Sequence, residues 1–297
     1  KKSWIFLYQH LKKEEWSLPK GFSESLKSIG LNIIDLIFEI EEEIILPSED
    51  FIYEKDVEVL LVFYAGYSEK LNTELIKFKS KFPKVIIINE LGDEPQTKCL
   101  NYIRASLSDI CLSPDYESKN YWVERGFNCK WFTHWADSKI FYKNKNFKER
   151  EEFLTTTMGR RKYNIFLKMI LGSFYKNKKI VSYENTSFYN NSQNVFQYAR
   201  WGEITRRIFE ASACGCCVIT NRIHPNKQLE NIFSHNESII FYKGRISLFF
   251  EIFKLFINKK KSKRIGETAS YIVHNNHTDK IRAVELLKYV NEYKKKI

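Results

Sequence analysis

The sequence predicts an α/β protein made of two αβα domains in tandem, each a parallel sheet covered by helices on both faces. Strand-like apolar runs alternate with helical segments, as βαβ units require. The runs, such as 57–64 and 85–89, are apolar almost throughout rather than alternating, as burial on both faces demands. The pattern breaks once, at the charged stretch 141–152, and then restarts. With 297 residues the chain exceeds one ordinary core. The break places an N-terminal Rossmann-like domain at 1–145 and a second at 146–297.

The first strand is 3–8. A helix follows from Pro19 to Gly30, with proline at its start and glycine at its end. Strands are expected at 31–39, 57–64, 85–89, 109–113 and 129–132, with helices at 68–82, 96–106 and up to Gly126 between them. The second half opens with a strand at 153–158, a helix to about Tyr175 and a strand at 179–183. Residues 184–192, rich in Asn, Ser and Tyr, read as a loop. Then come a helix between Gly202 and Gly215, a buried strand to Thr220, a helix near 226–233 and a strand at 237–242. Helices at 246–258, 261–275 and 278–295 finish the chain. The aromatic-rich helix at 248–256 reads as core, with a membrane-docking face beside the basic run 259–264 as the minor alternative.

Hydrophobic content of 43% and charged content of 28% describe a globular protein. No apolar stretch is long enough to span a bilayer. Lys1 and Lys2 lead straight into a strand with no cleavage site, so no signal peptide is expected. Six cysteines without a spaced framework read as reduced, buried thiols, and the expected setting is cytoplasmic. The run at Cys214, Cys216 and Cys217 has no second pair to complete a zinc site. The net charge of +12 fits a phosphorylated substrate, an anionic membrane face or nucleic acid; a Lys-rich composition alone would also give it. No basic and aromatic interleaved module supports nucleic-acid binding.

Chemistry concentrates on the helix after Gly202. Helical spacing puts Glu203, Arg206, Arg207 and Glu210 on one face and Ile204, Ile208 and Ala211 on the other. Four charges leading into an uncharged buried strand read as the floor of a binding cleft. In tandem Rossmann-like domains, ligands sit at strand exits and helix N-termini. Gly159, Arg160, Arg161 and Lys162 offer a flexible turn and three cations at another such exit. Arginines grip a diphosphate by two-point contacts, and a carboxylate suits a ribose diol. Neither a Walker A pattern nor a dinucleotide fingerprint is present.

The stretch Glu203, Thr205, Arg206, Arg207, Phe209, Glu210, Ala211 with Gly215 to Thr220 resembles the donor-site segment of group 1 GT-B glycosyltransferases, closest to the spore-maturation-like branch. The resemblance extends through Leu229–Phe233, Ile239–Tyr242 and Arg282. It implies two Rossmann-like domains facing a cleft, with the last helix packing back on the first domain. It also implies hexosyl transfer from a nucleoside-diphosphate sugar to a glycan, lipid-linked or protein acceptor. By that resemblance Glu210 holds the donor ribose, and Arg206 or Arg207 with Arg160, Arg161 or Lys162 holds the diphosphate. Glu203 matches the first glutamate of the family's pair, but the family's spacing is one longer than the seven positions to Glu210. It therefore either touches the sugar or caps the helix and pairs with Arg207. No metal or other cofactor is expected, since cations and the helix N-terminus meet the leaving charge.

An inverting reaction needs a base from the first domain's strand exits. Asp93 is one candidate, or else a turn residue before the next helix. His10 is the rival, or else a surface loop residue. His134 reads as structural. Tyr183 lies where a nucleotide base could stack, although an aromatic at a strand end is more often core. A non-catalytic sugar-nucleotide binder and, lower, a nucleic-acid-binding protein are the alternative functions. Peripheral contact with the inner membrane face also remains open.

Overall fold

A computed structural model gives the fold and describes residues 2–11, 14–39, 44–63, 69–92, 94, 97–144, 150–157, 161–177 and 184–296. The chain forms two compact units, Lys1–Thr133 with Asp279–Ile297, and His134–Thr278. Each is a Rossmann-like parallel sheet flanked by helices, so the expected fold class holds.

The first unit runs β1 (Ser3–Gln9), α1 (Leu18–Ser28), β2 (Asn32–Phe38), α2 (Glu49–Glu54), β3 (Val57–Phe63), α3 (Glu69–Lys81), β4 (Ile86–Glu90), α4 (Lys98–Leu107), β5 (Ile110–Ser113), α5 (Tyr116–Val123) and β6 (Cys129–Trp131). Its sheet order is β2-β1-β3-β4-β5-β6, every pair parallel. Side chains alternate faces along a strand. In β1, Ile5 and Leu7 enter one core layer with Leu60, Val62, Leu71 and Leu75. Phe6 turns to the other face and meets Phe22 and Phe63 at centroid distances of 6.1 and 5.3 Å. Both faces are thus apolar, which is why the strands read as unbroken runs. Ser17 caps α1, its Oγ accepting from the Lys20 N–H, and Pro19 lies in the first turn. The six-residue α2 was not expected from sequence; Ser48 caps it and Ile52 is its buried residue.

The last helix, α12 (Asp279–Lys294; numbered after the helices of the second unit), belongs to this first unit. Ser25 Oγ donates to Asp279, Arg282 Nε donates to the Thr133 carbonyl at 3.0 Å, and Tyr293 donates to Asp109 at 2.8 Å. Buried partners of this kind tie a chain terminus down.

The second unit runs β7 (Glu152–Thr156), α6 (Arg161–Leu171), a 3-10 turn (Gly172–Phe174), β8 (Tyr175–Asn177), α7 (Asn185–Asn190), β9 (Ser192–Gln197), α8 (Arg206–Ala213), β10 (Cys217–Asn221), α9 (Leu229–Ile232), β11 (Ile240–Tyr242), α10 (Arg245–Ile257) and α11 (Lys259–Asn276). The parallel order is β11-β10-β9-β7-β8. Two expectations are corrected here. The helix before Tyr175 ends at Leu171, and Tyr175 starts a strand; the strand expected at 179–183 lies outside the described residues. The expected loop at 184–192 is instead α7 and the start of the central strand β9. The neighbouring strand meets two of its polar side chains: Asn194 Nδ2 donates to the Phe153 carbonyl at 2.8 Å, and Thr155 Oγ1 donates to Ser192 Oγ at 2.8 Å.

All six cysteines are free thiols, five of them buried, but Cys99 is exposed and corrects the expectation for that residue. Burial pushes the Cys111 thiol up to about 12. A disulfide reagent such as DTNB should therefore titrate Cys99 alone in the folded chain and all six thiols in denaturant, read by the absorbance of the released thiolate. Among the described residues, no helix is long and apolar enough to cross a membrane.

Candidate functional site

The site region begins where β9 ends. The chain passes Ala199, turns at Gly202 with φ of 72°, and reaches Thr205, the extended N-cap residue of α8. The helix therefore starts at Arg206, not at Gly202. Glu203 precedes it and does not share its charged face. Glu203 Oε2 accepts from the Trp201 N–H at 2.7 Å, so in this structure the carboxylate holds the turn. Thr205 is buried and its Oγ1 lacks a hydrogen-bond partner among the described residues.

Arg206, Arg207 and Glu210 occupy the first two turns of α8. Arg206 Nε lies 2.8 Å from Glu210 Oε1, an i,i+4 ion pair. The Glu210 side chain is fully buried, while Arg206 is partly exposed above it. Arg206 Nε is the one donor near the carboxylate, at hydrogen-bonding distance but poorly aligned, and Glu210 Oε2 has no donor among the described residues. Burial raises the Glu210 pKa, and Arg206 and Arg207 pull the other way. Tyr189, on α7, is also buried, its phenol is pushed up first by desolvation and then by the Glu210 charge, and its OH lies 3.4 Å from Thr157 Oγ1. Tyr189 and Thr157 escaped the sequence reading. The tyrosine sat in the supposed loop, and only the recognition of α7 as a helix would have directed it inward.

Arg161 and Lys162 open α6 and are both exposed. They follow β7, which pairs in parallel with β9. Parallel neighbours send both exits to one sheet edge, with strands roughly 4.8 Å apart. The starts of α6 and α8 thus share an edge. Gly159, Arg160 and Tyr183 lie outside the described residues.

In the first unit, His10 follows β1. It is buried, and His10 Nδ1 and Ser17 Oγ share a hydrogen bond of 2.9 Å. Desolvation, then Lys20, lowers its pKa, so the imidazole is neutral at pH 7. The bland reading of a surface residue does not describe it. Asp93 lies outside the described residues, and the described residues on either side of it are bonded to α4 and α5. Thr97 Oγ1 and Asn101 Nδ2 donate to the Gly92 carbonyl at 2.6 and 3.1 Å, and Trp122 Nε1 donates to Glu94 Oε1 at 2.8 Å. Glu94, Asn101 and Trp122 went unnoticed in the sequence, since only the fold joins α4 and α5 to this strand exit. Among the described residues, no group of three or more His, Cys, Asp or Glu is placed to hold a metal ion.

Residues 149–288 match the family described as glycosyl transferase-like. The resemblance read from 203–220 therefore holds at that level, and nothing in the match selects the spore-maturation branch. No curated protein sequence matches the chain. Solved structures with the same architecture include a sucrose-phosphate synthase from Thermosynechococcus elongatus, at 9% identity and a TM-score of 0.71, covering 98% of this chain and 99% of that one. A glycosyltransferase from Rickettsia africae gives 11% identity and a TM-score of 0.65, covering 98% of each chain. The Anabaena protein HepE, solved in complex with UDP, gives 11% identity and a TM-score of 0.68, covering 98% of this chain and 100% of that one. At such identities the likeness is one of fold: two Rossmann-like domains of GT-B type.

Proposed function

We propose that this glycosyl transferase-like chain moves a hexosyl group from a nucleoside-diphosphate sugar to an acceptor hydroxyl, without a metal. One observation carries the reading. Inside the stretch matched to the family, a fully buried carboxylate, Glu210, has only the Arg206 guanidinium against one oxygen and, among the described residues, no hydrogen-bond donor at the other. A ribose diol supplies two O–H donors to fill that deficit. For the diol to arrive, Arg206 must leave Glu210, and the diphosphate gives it a better partner. Arg207, Arg161 and Lys162 supply further charge at this edge, and Gly159 and Arg160 stay candidates by sequence. That positive field meets the charge that builds on the diphosphate as the anomeric C–O bond breaks. No metal is then required. The acceptor oxygen forms the new bond and loses its proton to a base, with Asp93 and His10 as candidates. UDP and UDP-glucose in the HepE structures make uridine the first nucleotide to try. Glu203 is assigned to the turn, and Tyr183 stays a candidate for base stacking.

A thermal-shift panel of nucleoside diphosphates and sugar nucleotides tests this reading. One nucleotide base should raise the melting temperature and others should not. Turnover of the matching sugar nucleotide would support an enzyme, whereas a shift without transfer or hydrolysis across the panel would leave a sugar-nucleotide binder. His10→Ala and Asp93→Asn separate the bases. If His10 takes the proton, rate falls on the acid side only below the ordinary histidine range, because its pKa is lowered, and the alanine variant loses about 100-fold or more in kcat. If both variants keep full turnover, neither residue is the base.

A further inference from the structure

The helix α10 is apolar almost all round, yet only one stripe is covered. Leu248, Ile252 and Leu255 enter the core. Phe249, Phe250, Phe253 and Phe256 are exposed, as are Ile246 and Ile257, the latter two by 77% and 69%. The expectation that this helix is wholly core is therefore corrected. The exposed rings are ordered: Phe249 stacks on Phe253 at 6.2 Å, and Phe256 meets Phe174 edge-on at 5.4 Å. Phe174 with Ile170 and Leu171 joins Phe249, Phe253 and Phe256 around a groove of about 300 Å³. On α6, Ile165 and Met169 extend the apolar surface, with Lys168 beside them. A continuous apolar surface of this kind marks an interaction site.

The two stretches that build this face are strongly basic. Residues 161–177 carry Arg161, Lys162, Lys168 and Lys176 and no acid. Residues 243–264 carry eight lysines and arginines and one acid, Glu251. That acid is buried and its Oε1 lies 2.8 Å from Lys254 Nζ, so it presents little free negative charge.

We propose that this α6–α10 face docks on an anionic lipid surface, the phenylalanines entering the headgroup boundary and the flanking lysines meeting the lipid phosphates. Aromatic and aliphatic side chains between long-stemmed cations are what an interfacial helix presents. A second copy of the chain fits poorly, since a two-fold contact would set these cations against themselves. The proposal does not depend on the reaction.

The test is co-sedimentation of the full chain with vesicles of phosphatidylcholine alone or mixed equally with phosphatidylglycerol. Binding to the mixed vesicles that weakens with salt is expected. The variant Phe250→Ser with Phe253→Ser should lose about tenfold or more in partitioning, and Lys259→Glu with Lys260→Glu about tenfold. Circular dichroism checks that both stay folded; should the phenylalanine pair not fold, the lysine pair decides. The proposal is overturned if the chain ignores anionic vesicles or if the folded variants bind as the parent does. It is equally overturned if ultracentrifugation shows a dimer that the same substitutions dissociate.

Discussion

Glu210→Gln is expected to remove nucleotide binding while making the unliganded chain more stable. Both effects come from one fact: a fully buried carboxylate whose one partner among the described residues is the Arg206 guanidinium. Burial disfavours the charged form, and the Arg206 pair offsets only part of that cost. The amide keeps the shape without the charge, and Arg206, already partly exposed, can turn to water. A gain of roughly 1 kcal/mol would raise the melting temperature by about 2–4 °C. The pH dependence has a definite sign. The folded pKa is raised, so Glu210 weakens the fold as pH climbs from its ordinary value through the raised one. Below the ordinary value the effect vanishes, and the Gln variant should lose this slope. In binding, two charge-assisted hydrogen bonds to the diol are lost, on the order of a hundredfold in Kd. Calorimetry with the nucleotide found in the panel and thermal melts at several pH values measure the two effects. A variant that binds as tightly as the parent would remove Glu210 from the donor site.

Gly266→Ala should have the largest effect on stability. Gly266 lies inside α11, where alanine would ordinarily stabilise by about 1 kcal/mol. Here a Cβ would meet the Gly215 carbonyl oxygen at 2.2 Å, and the next nearest atoms are also backbone. No rotamer can relieve that overlap, so α11 must move away from the end of α8. Gly215 itself has φ of 77°, the left-handed position that ends a helix. Ser270 Oγ and His274 Nε2 meet the Ala213 carbonyl at 3.1 and 3.0 Å, so the same shift breaks two further contacts. A net loss of about 2–3 kcal/mol is expected, read as a lower urea midpoint with unchanged slope. Because α8 carries Arg206 and Glu210, nucleotide affinity should fall with it. An unchanged midpoint would contradict this packing.

Much of this architecture is a local property of the chain. The runs at 3–8, 57–64, 85–89 and 216–220 are apolar almost throughout, Glu58 being their one charge, as a strand buried on both faces requires. Pro19 and Gly215 mark helix ends that backbone geometry imposes on short windows. The segment 203–220 also carries enough specific residues to resemble one family by itself. Other features depended on distant segments. Ser192 read as the end of a loop because its polarity is local, yet the Thr155 hydroxyl of β7 meets it at the start of a central strand. Periodicity placed Glu203 with Arg206, but the turn at Gly202 and the bond to the Trp201 N–H take it off the helix. For α10 the sequence specified an apolar helix but not which stripe would be covered. Composition sets how much surface can be buried; only packing between remote elements decides which carboxylate loses its water and which phenylalanines keep theirs.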